Sequence, residues 1–198
     1  AFTESSPVST FNSGNQILLN ASGSLQIDNR ILTYMDNQWK AENEFSWSDI
    51  TGKTNITALY PVYPDLDYIQ ENLYKNNSLE DILYVKDEFP AGNSIHLQFK
   101  HLFSLLTLYL DRDLQTNLQK IEITCPAVSS IIPKSAEIVP ADNETYTTTI
   151  AQVSPSGNYS FIVPPVKNMV IAINMVTNGK KYTTQLETKS FTGYKEYT

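Results

Sequence analysis

The residues best suited to chemistry in this chain are few and scattered. Its 198 residues include two histidines, His96 and His101, and a single cysteine, Cys125. The histidines are five positions apart, so on one continuous strand their side chains would point to opposite faces and could not share a metal ion. A lone cysteine can form neither an internal disulfide nor a thiolate metal cluster. We therefore expect no metal site and no cofactor, with structural or solvent-exposed roles for both histidines.

Nucleophilic and acid–base catalysis also lack support. The cysteine adjoins Pro126, with neither histidine close in sequence, and no Gly-x-Ser-x-Gly turn precedes a helix. Acidic pairs such as Asp65 with Asp67, or Glu80 with Asp81, would suit glycoside hydrolysis if two carboxylates faced each other across a cleft. Acidic side chains in loops are usually solvated, so we expect no enzyme activity.

Composition excludes two further classes of function. The chain carries 14 basic and 21 acidic residues, a formal net charge of −7, and lacks the basic face that nucleic-acid binding requires. Its longest apolar stretches, residues 102–110 and 169–176, are far shorter than the ~20 residues that span a bilayer. We expect neither a nucleic-acid partner nor a transmembrane segment.

Strand patterns dominate the chain. In residues 94–100, Ile95, Leu97 and Phe99 alternate with polar residues, which predicts a half-buried strand. An Asn-Gly pair at residues 178–179 predicts a hairpin, and a short helix or helical turn is expected at residues 66–73. Other runs that predict strands are residues 54–60, 105–110, 120–124 (ending before Pro126), 159–163, 169–176 and 181–186.

Many short strands with turn residues between them indicate an all-β fold of sandwiches rather than alternating βα units. A seven-stranded sandwich uses roughly 100 residues, so the length suits two small sandwiches or a single elaborated one. Pro90 and Gly92 interrupt a polar stretch. We place a boundary there, with an N-terminal β-sandwich domain at residues 1–90 and a C-terminal one at residues 91–198, packed together.

Aromatic side chains are the better candidates for binding. An exposed row of rings would form a platform for sugar, whereas buried rings would fill a sandwich core. We expect Trp47 and Tyr60 to lie in the core. The choice between sugar stacking and core packing stays open for four residues: Trp39, Tyr63, Tyr68 and Tyr74.

Several motifs occur in the order typical of one bacterial family. Phe11, Gly14 and Ile17 match an early aromatic-x-x-Gly-Asp-x-Ile stretch, with Asn15 where Asp is usual. The later landmarks are Trp39, Phe45-Ser46-Trp47, Ala58-Leu59-Tyr60-Pro61-Val62-Tyr63, Asp81-Ile82-Leu83, residues 97–106, residues 161–165 and Gly193-Tyr194. Over nearly its whole length, the chain resembles the fimbrillin-like (Mfa-like) family of Bacteroidetes, which includes type V pilus subunits and related surface adhesins.

The resemblance implies two transthyretin-like or immunoglobulin-like antiparallel β-sandwich domains in tandem. It also implies export as a lipoprotein and display at the outer membrane surface, with the signal and the lipidated cysteine on the precursor. In this family, proteolysis releases an N-terminal strand, and the vacated groove accepts a strand from another subunit. The implied partners are other pilus subunits, by strand donation, and ligands on host or bacterial surfaces.

An exposed edge strand offers unpaired N–H and C=O groups that a partner's extended segment can satisfy. We therefore expect a subunit-contact edge near one terminus, formed by Ile17, Leu18 and Leu19 or by Phe191, Tyr194 and Tyr197. The competing function is a surface glycan-binding module that uses the aromatic residues of the first half.

Overall fold

The computed structural model describes residues 10–43, 51–92, 94–115, 117–150, 157–165, 167–190 and 196–197. Strands dominate these residues, so the predicted all-β class is confirmed. The described helices are short: a 3-10 turn at Pro64–Leu66, α1 at Gln70–Leu73 and α2 at Arg112–Gln115. In the described part of the chain, no helix is long and apolar enough to span a bilayer.

The first half of the chain builds a six-stranded sheet, here called sheet I, with the order β3-β2-β1-β4-β7-β8. A two-stranded ribbon of β5 and β6 lies beside it. The strands of the first half are β1 (Gln16–Gly23), β2 (Ile27–Met35), β3 (Gln38–Ala41), β4 (Thr54–Tyr60), β5 (Tyr74–Lys75), β6 (Ser78–Leu79), β7 (Leu83–Phe89) and β8 (Lys100–His101).

The second half builds two sheets that face each other. Sheet II has the order β11-β10-β13-β14, and sheet III has the order β12-β9-β15. Their strands are β9 (Ser104–Tyr109), β10 (Leu118–Ile132), β11 (Glu137–Ile150), β12 (Asn158–Val163), β13 (Lys167–Thr177), β14 (Lys180–Ser190) and β15 (Glu196–Tyr197).

Three apolar clusters hold the sheets together. Sheets II and III share one, to which Ile123 and Phe161 contribute from opposite sides. A second joins the halves, because Leu18 of sheet I packs in the same cluster as Val128 of sheet II. The third covers the opposite face of sheet I, around Ile17. The proposed division at residue 90 stays a prediction.

The strand predicted at residues 94–100 is wrong for most of its length. Regular pairing begins at Lys100, and a cavity of about 260 Å³ separates part of the preceding segment from β7. The predicted faces are nevertheless present, since Ile95, Leu97 and Phe99 are half-buried against the third cluster. The alternating pattern therefore predicted correctly which side chains face the core, but it did not indicate whether the backbone pairs with another strand.

Two other local predictions have different outcomes. The hairpin is confirmed, because β13 and β14 pair through a turn in which Asn178 and Gly179 both have positive φ. The expected end of a strand before Pro126 is wrong. β10 continues to Ile132, and its register with β11 shifts next to Pro126, a position that cannot donate a backbone hydrogen bond.

Cys125 should be unreactive in the folded chain. Its thiol is buried in the cluster between sheets II and III, and this burial raises its pKa to about 12. Since the thiolate is the nucleophile, we expect a disulfide reagent at pH 8 to leave the native chain unmodified and to titrate one thiol after unfolding in guanidinium chloride. Rapid labelling of the native chain would contradict this placement.

Candidate functional site

The edge expected at the N-terminal candidate residues is absent. β1 is an interior strand, paired with β2 on one side and with β4 on the other. Ile17, Leu18 and Leu19 are each 0% exposed. These three residues lie in a central strand of sheet I. A strand that is covered on both faces has a nearly continuous run of apolar residues, as β1 does here. We do not propose them further as a contact edge.

The structure describes one of the three C-terminal candidates. Phe191 and Tyr194 lie outside the described residues, whereas Tyr197 belongs to β15. β15 runs parallel to β9, with Glu196 opposite Leu105 and Tyr197 opposite Leu106. The chain therefore returns, close to its end, to the edge of a strand that lies about 90 residues earlier.

β9 pairs with a different strand on each of its two sides. On one side it matches β12 over all six positions, from Ser104 to Tyr109. On the other side, the described residues pair with it at Leu105 and Leu106. Tyr109, at the end of β9, is 61% exposed. The side of β9 that pairs with β15 is one at which an extended segment could pair.

Two of the four open aromatic residues lie in the core. Tyr63 and Tyr68 are 3% and 2% exposed, and their rings meet edge to face at 5.0 Å. The Tyr63 hydroxyl donates to Glu80 Oε2 at 2.7 Å, and the Tyr68 hydroxyl donates to the Pro61 carbonyl at 2.7 Å. Burial raises the pKa of both phenols. Neither ring presents a face to solvent.

The other two aromatic residues belong to separate groups. The Tyr74 ring lies 3.9 Å from that of Tyr146, and its hydroxyl accepts the Val128 N–H at 2.9 Å. Trp39 is half-buried on the other face of sheet I. Its ring contacts those of Phe11, Tyr34 and Phe99. Trp39 thus lies apart from the three tyrosines, and the four rings form no common row.

The two core predictions have different outcomes. Tyr60 is half-buried, and its ring contacts Phe11. Trp47 lies outside the described residues.

Two acidic residues near this core contact basic side chains. Asp81 contacts His101 Nδ1 at 2.9 Å, and its side chain is 7% exposed. The Lys75 ammonium donates to Glu80 at 3.2 Å and lies 4.9 Å from the centre of the Tyr63 ring. These contacts tie the β5–β6 ribbon and the start of β7 to β8. The carboxylates of Glu80 and Asp81 thus stabilise the packing of neighbouring strands and do not form a pair of free acidic groups.

Replacing Tyr68 with phenylalanine should lower the free energy of unfolding by about 1–2 kcal/mol, because the bond from the buried Tyr68 hydroxyl to the Pro61 carbonyl is lost. Urea denaturation measures the change. Tyr182→Phe is the matched control, since Tyr182 is 46% exposed, and it should leave stability unchanged. Equal effects of the two substitutions would contradict the assigned bond.

Alkaline pH should destabilise the fold because the hydroxyl groups of buried tyrosines, such as Tyr74, would lose their protons. Burial raises the pKa of Tyr74 to about 12, whereas the phenol titrates near 10 in an unfolded chain. The unfolded chain therefore loses this proton first, so the free energy of unfolding should fall as pH rises from about 10 to 12. Urea denaturation measured at several pH values should show a smaller fall in the free energy of unfolding for Tyr74→Phe than for the unchanged chain. An identical fall would contradict the raised pKa of Tyr74.

The geometry defines an all-β protein of packed antiparallel sheets with one short parallel strand at its edge. The fimbrillin-like family model matches residues 4–198, and the chain belongs to that family. This confirms the family indicated by the motif order. A comparison with curated proteins finds no match.

Two solved structures share the fold. A Bacteroides uniformis protein described as a cell adhesion protein superposes with a TM-score of 0.62 at 11% identity, over 92% of this chain and 83% of that one. A fimbrial protein from Bacteroides ovatus gives a TM-score of 0.53 at 14% identity, over 96% of this chain and 44% of that one. The chain thus spans less than half of the fimbrial protein.

Sequence reasoning missed the parallel pairing of β15 with β9. Tyr197 was a candidate, but neither Leu105 nor Leu106 was. Residues 105–110 read as a buried strand, and an apolar run carries no signal for which of its two edges is open.

Proposed function

We propose that this chain is a non-enzymatic subunit of a surface fimbria, or a related adhesin, that assembles with other subunits by β-strand exchange. Membership of the fimbrillin-like family supports the general role. The observation that supports the finer proposal is the parallel pairing of β15 with the outer side of β9, at residues about 90 positions apart in the chain.

The position of β15 supports exchange. It lies at the end of sheet III and pairs with β9, so an extended segment of another subunit could compete for the same side of β9. Such a segment could take the place of β15 along β9 and satisfy the same backbone groups. The segment that leaves β9 would then be free to pair with a neighbouring subunit, so one exchange could repeat along a filament.

Surface display follows from the same proposal. A fimbrial subunit or adhesin acts outside the cell, and the family resemblance adds a lipid anchor on the precursor. The expected partners are other pilus subunits and ligands on host or bacterial surfaces.

Immunogold labelling of intact source cells tests the proposed location and assembly. An antibody against this chain should label the surface of intact cells, along filaments for a fimbrial subunit. Labelling confined to permeabilised cells would contradict the proposal. An antibody against a cytoplasmic marker provides the control for cell integrity.

A further inference from the structure

A polar cavity of about 340 Å³ lies between sheet I and the turn that joins β10 to β11. The register of sheet I places Asn20 of β1, Thr57 of β4 and Lys86 of β7 in one cross-strand row. Lys134 and Ser135 line the cavity from the turn. The Thr57 hydroxyl donates to the Lys134 carbonyl at 3.1 Å, which holds the turn against the sheet.

Two buried atoms in this cavity lack hydrogen-bond partners. Across the described ranges, Asn20 Nδ2 and Ser135 Oγ are the buried side-chain atoms left unpaired, and both residues line the cavity. Asn20 is 6% exposed, and its Oδ1 accepts the Asn29 N–H at 2.9 Å. That bond fixes the amide and leaves Nδ2 unused. An unpaired buried donor costs about 1–3 kcal/mol, which a ligand acceptor would recover.

Three of the four charged side chains at this cavity have hydrogen-bond partners. Asp28 accepts from the Lys134 ammonium at 2.6 Å, and Asp87 accepts the Glu88 N–H at 2.9 Å. The pairing of β1 with β2 shifts register opposite Asn20, and this bulge brings Asp28 to the cavity rim. Lys86 also lines the cavity, so its two acidic and two basic side chains balance in formal charge, which favours a neutral ligand over an ion.

We propose that the cavity binds a neutral saccharide of one or two rings. Sugar hydroxyls both donate and accept, so they can pair with the Asn20 donor and with the Ser135 hydroxyl. Ile27 and Ile56 also line the cavity and offer apolar surface to the C–H face of a ring. The volume lies at the lower end of the ~300–1,000 Å³ typical of small-molecule sites. The site is distinct from the four aromatic candidates and does not depend on strand exchange.

Isothermal titration of the whole chain with D-galactose, D-mannose, N-acetyl-D-glucosamine and maltose tests this proposal. At least one sugar should bind. Ser135→Ala should weaken binding of that sugar about 2- to 10-fold, the loss of one net hydrogen bond. Asn20→Asp, which keeps the acceptor and removes the donor, should weaken it at least as much. Ser130→Ala, at a β10 position outside the cavity lining, is the matched control and should leave affinity unchanged.

Several outcomes would overturn the proposal. One is the absence of binding for all four sugars, as expected if the cavity holds water alone. Another is binding that Ser135→Ala leaves intact in a folded variant, as judged by circular dichroism. Tighter binding of the zwitterion glycine than of every sugar would also contradict it, since that ligand requires free charges. The mild Ser135 substitution keeps the test valid if Asn20→Asp fails to fold.

Discussion

Removing residues 191–198 should leave the chain folded and abolish its incorporation into fimbriae. The deletion removes β15, which lies at the end of sheet III and not between two other strands, so the midpoint of urea denaturation should change slightly. It also removes the segment that would pair with another subunit. Electron microscopy of fimbriae from cells that carry the deletion, with immunoblotting for total chain, measures the effect.

The control for this deletion is the full-length chain expressed at the same level in the same cells. Fimbriae that contain the shortened chain in normal amounts would argue strongly against a role for the C-terminal segment in subunit contact. Loss of the folded chain itself would contradict the small structural role assigned to β15.

Replacing Phe161 with alanine should lower the free energy of unfolding by about 3–5 kcal/mol. Phe161 is 1% exposed and packs in the cluster between sheets II and III, where the lost ring would leave a cavity. Its strand pairs with β9, so the substitution should also loosen the edge proposed for exchange. Equilibrium denaturation in urea measures the stability change.

Tyr109→Ala is the matched control for Phe161→Ala, because Tyr109 lies on the neighbouring strand of sheet III and is 61% exposed. It should change stability by less than about 0.5 kcal/mol. If Phe161→Ala lowered the free energy of unfolding as little as this control, the result would contradict the packing of sheet III against sheet II.

Local features of the fold were predictable from sequence because they depend on near neighbours. The all-β class follows from short alternating runs, and the hairpin at Asn178 and Gly179 follows from the positive φ that such turns require. The alternating faces of residues 94–100 were also predicted correctly, although most of this segment does not form the strand that the pattern predicted.

Non-local pairing could not be predicted in the same way. The central position of β1 depends on partners at residues 27–33 and 54–59, and its sequence does not name them. The passage of β10 through Pro126 depends on a register shift with β11. The polar cavity joins Asn20 to Ser135 across more than 100 positions, and no spacing rule connects them.

A disulfide formed between subunits would test strand exchange at the β9 edge most directly. In a Cys125→Ala background, half of the chains would carry Leu105→Cys and half Glu196→Cys, at positions that face each other in the register of β9 and β15. A pair of Tyr182→Cys and Glu196→Cys chains provides the unmatched control. Mass spectrometry of fimbriae isolated from co-expressing cells should find the 105–196 disulfide between different chains. Fimbriae that contain both variants but no such disulfide would contradict the exchange.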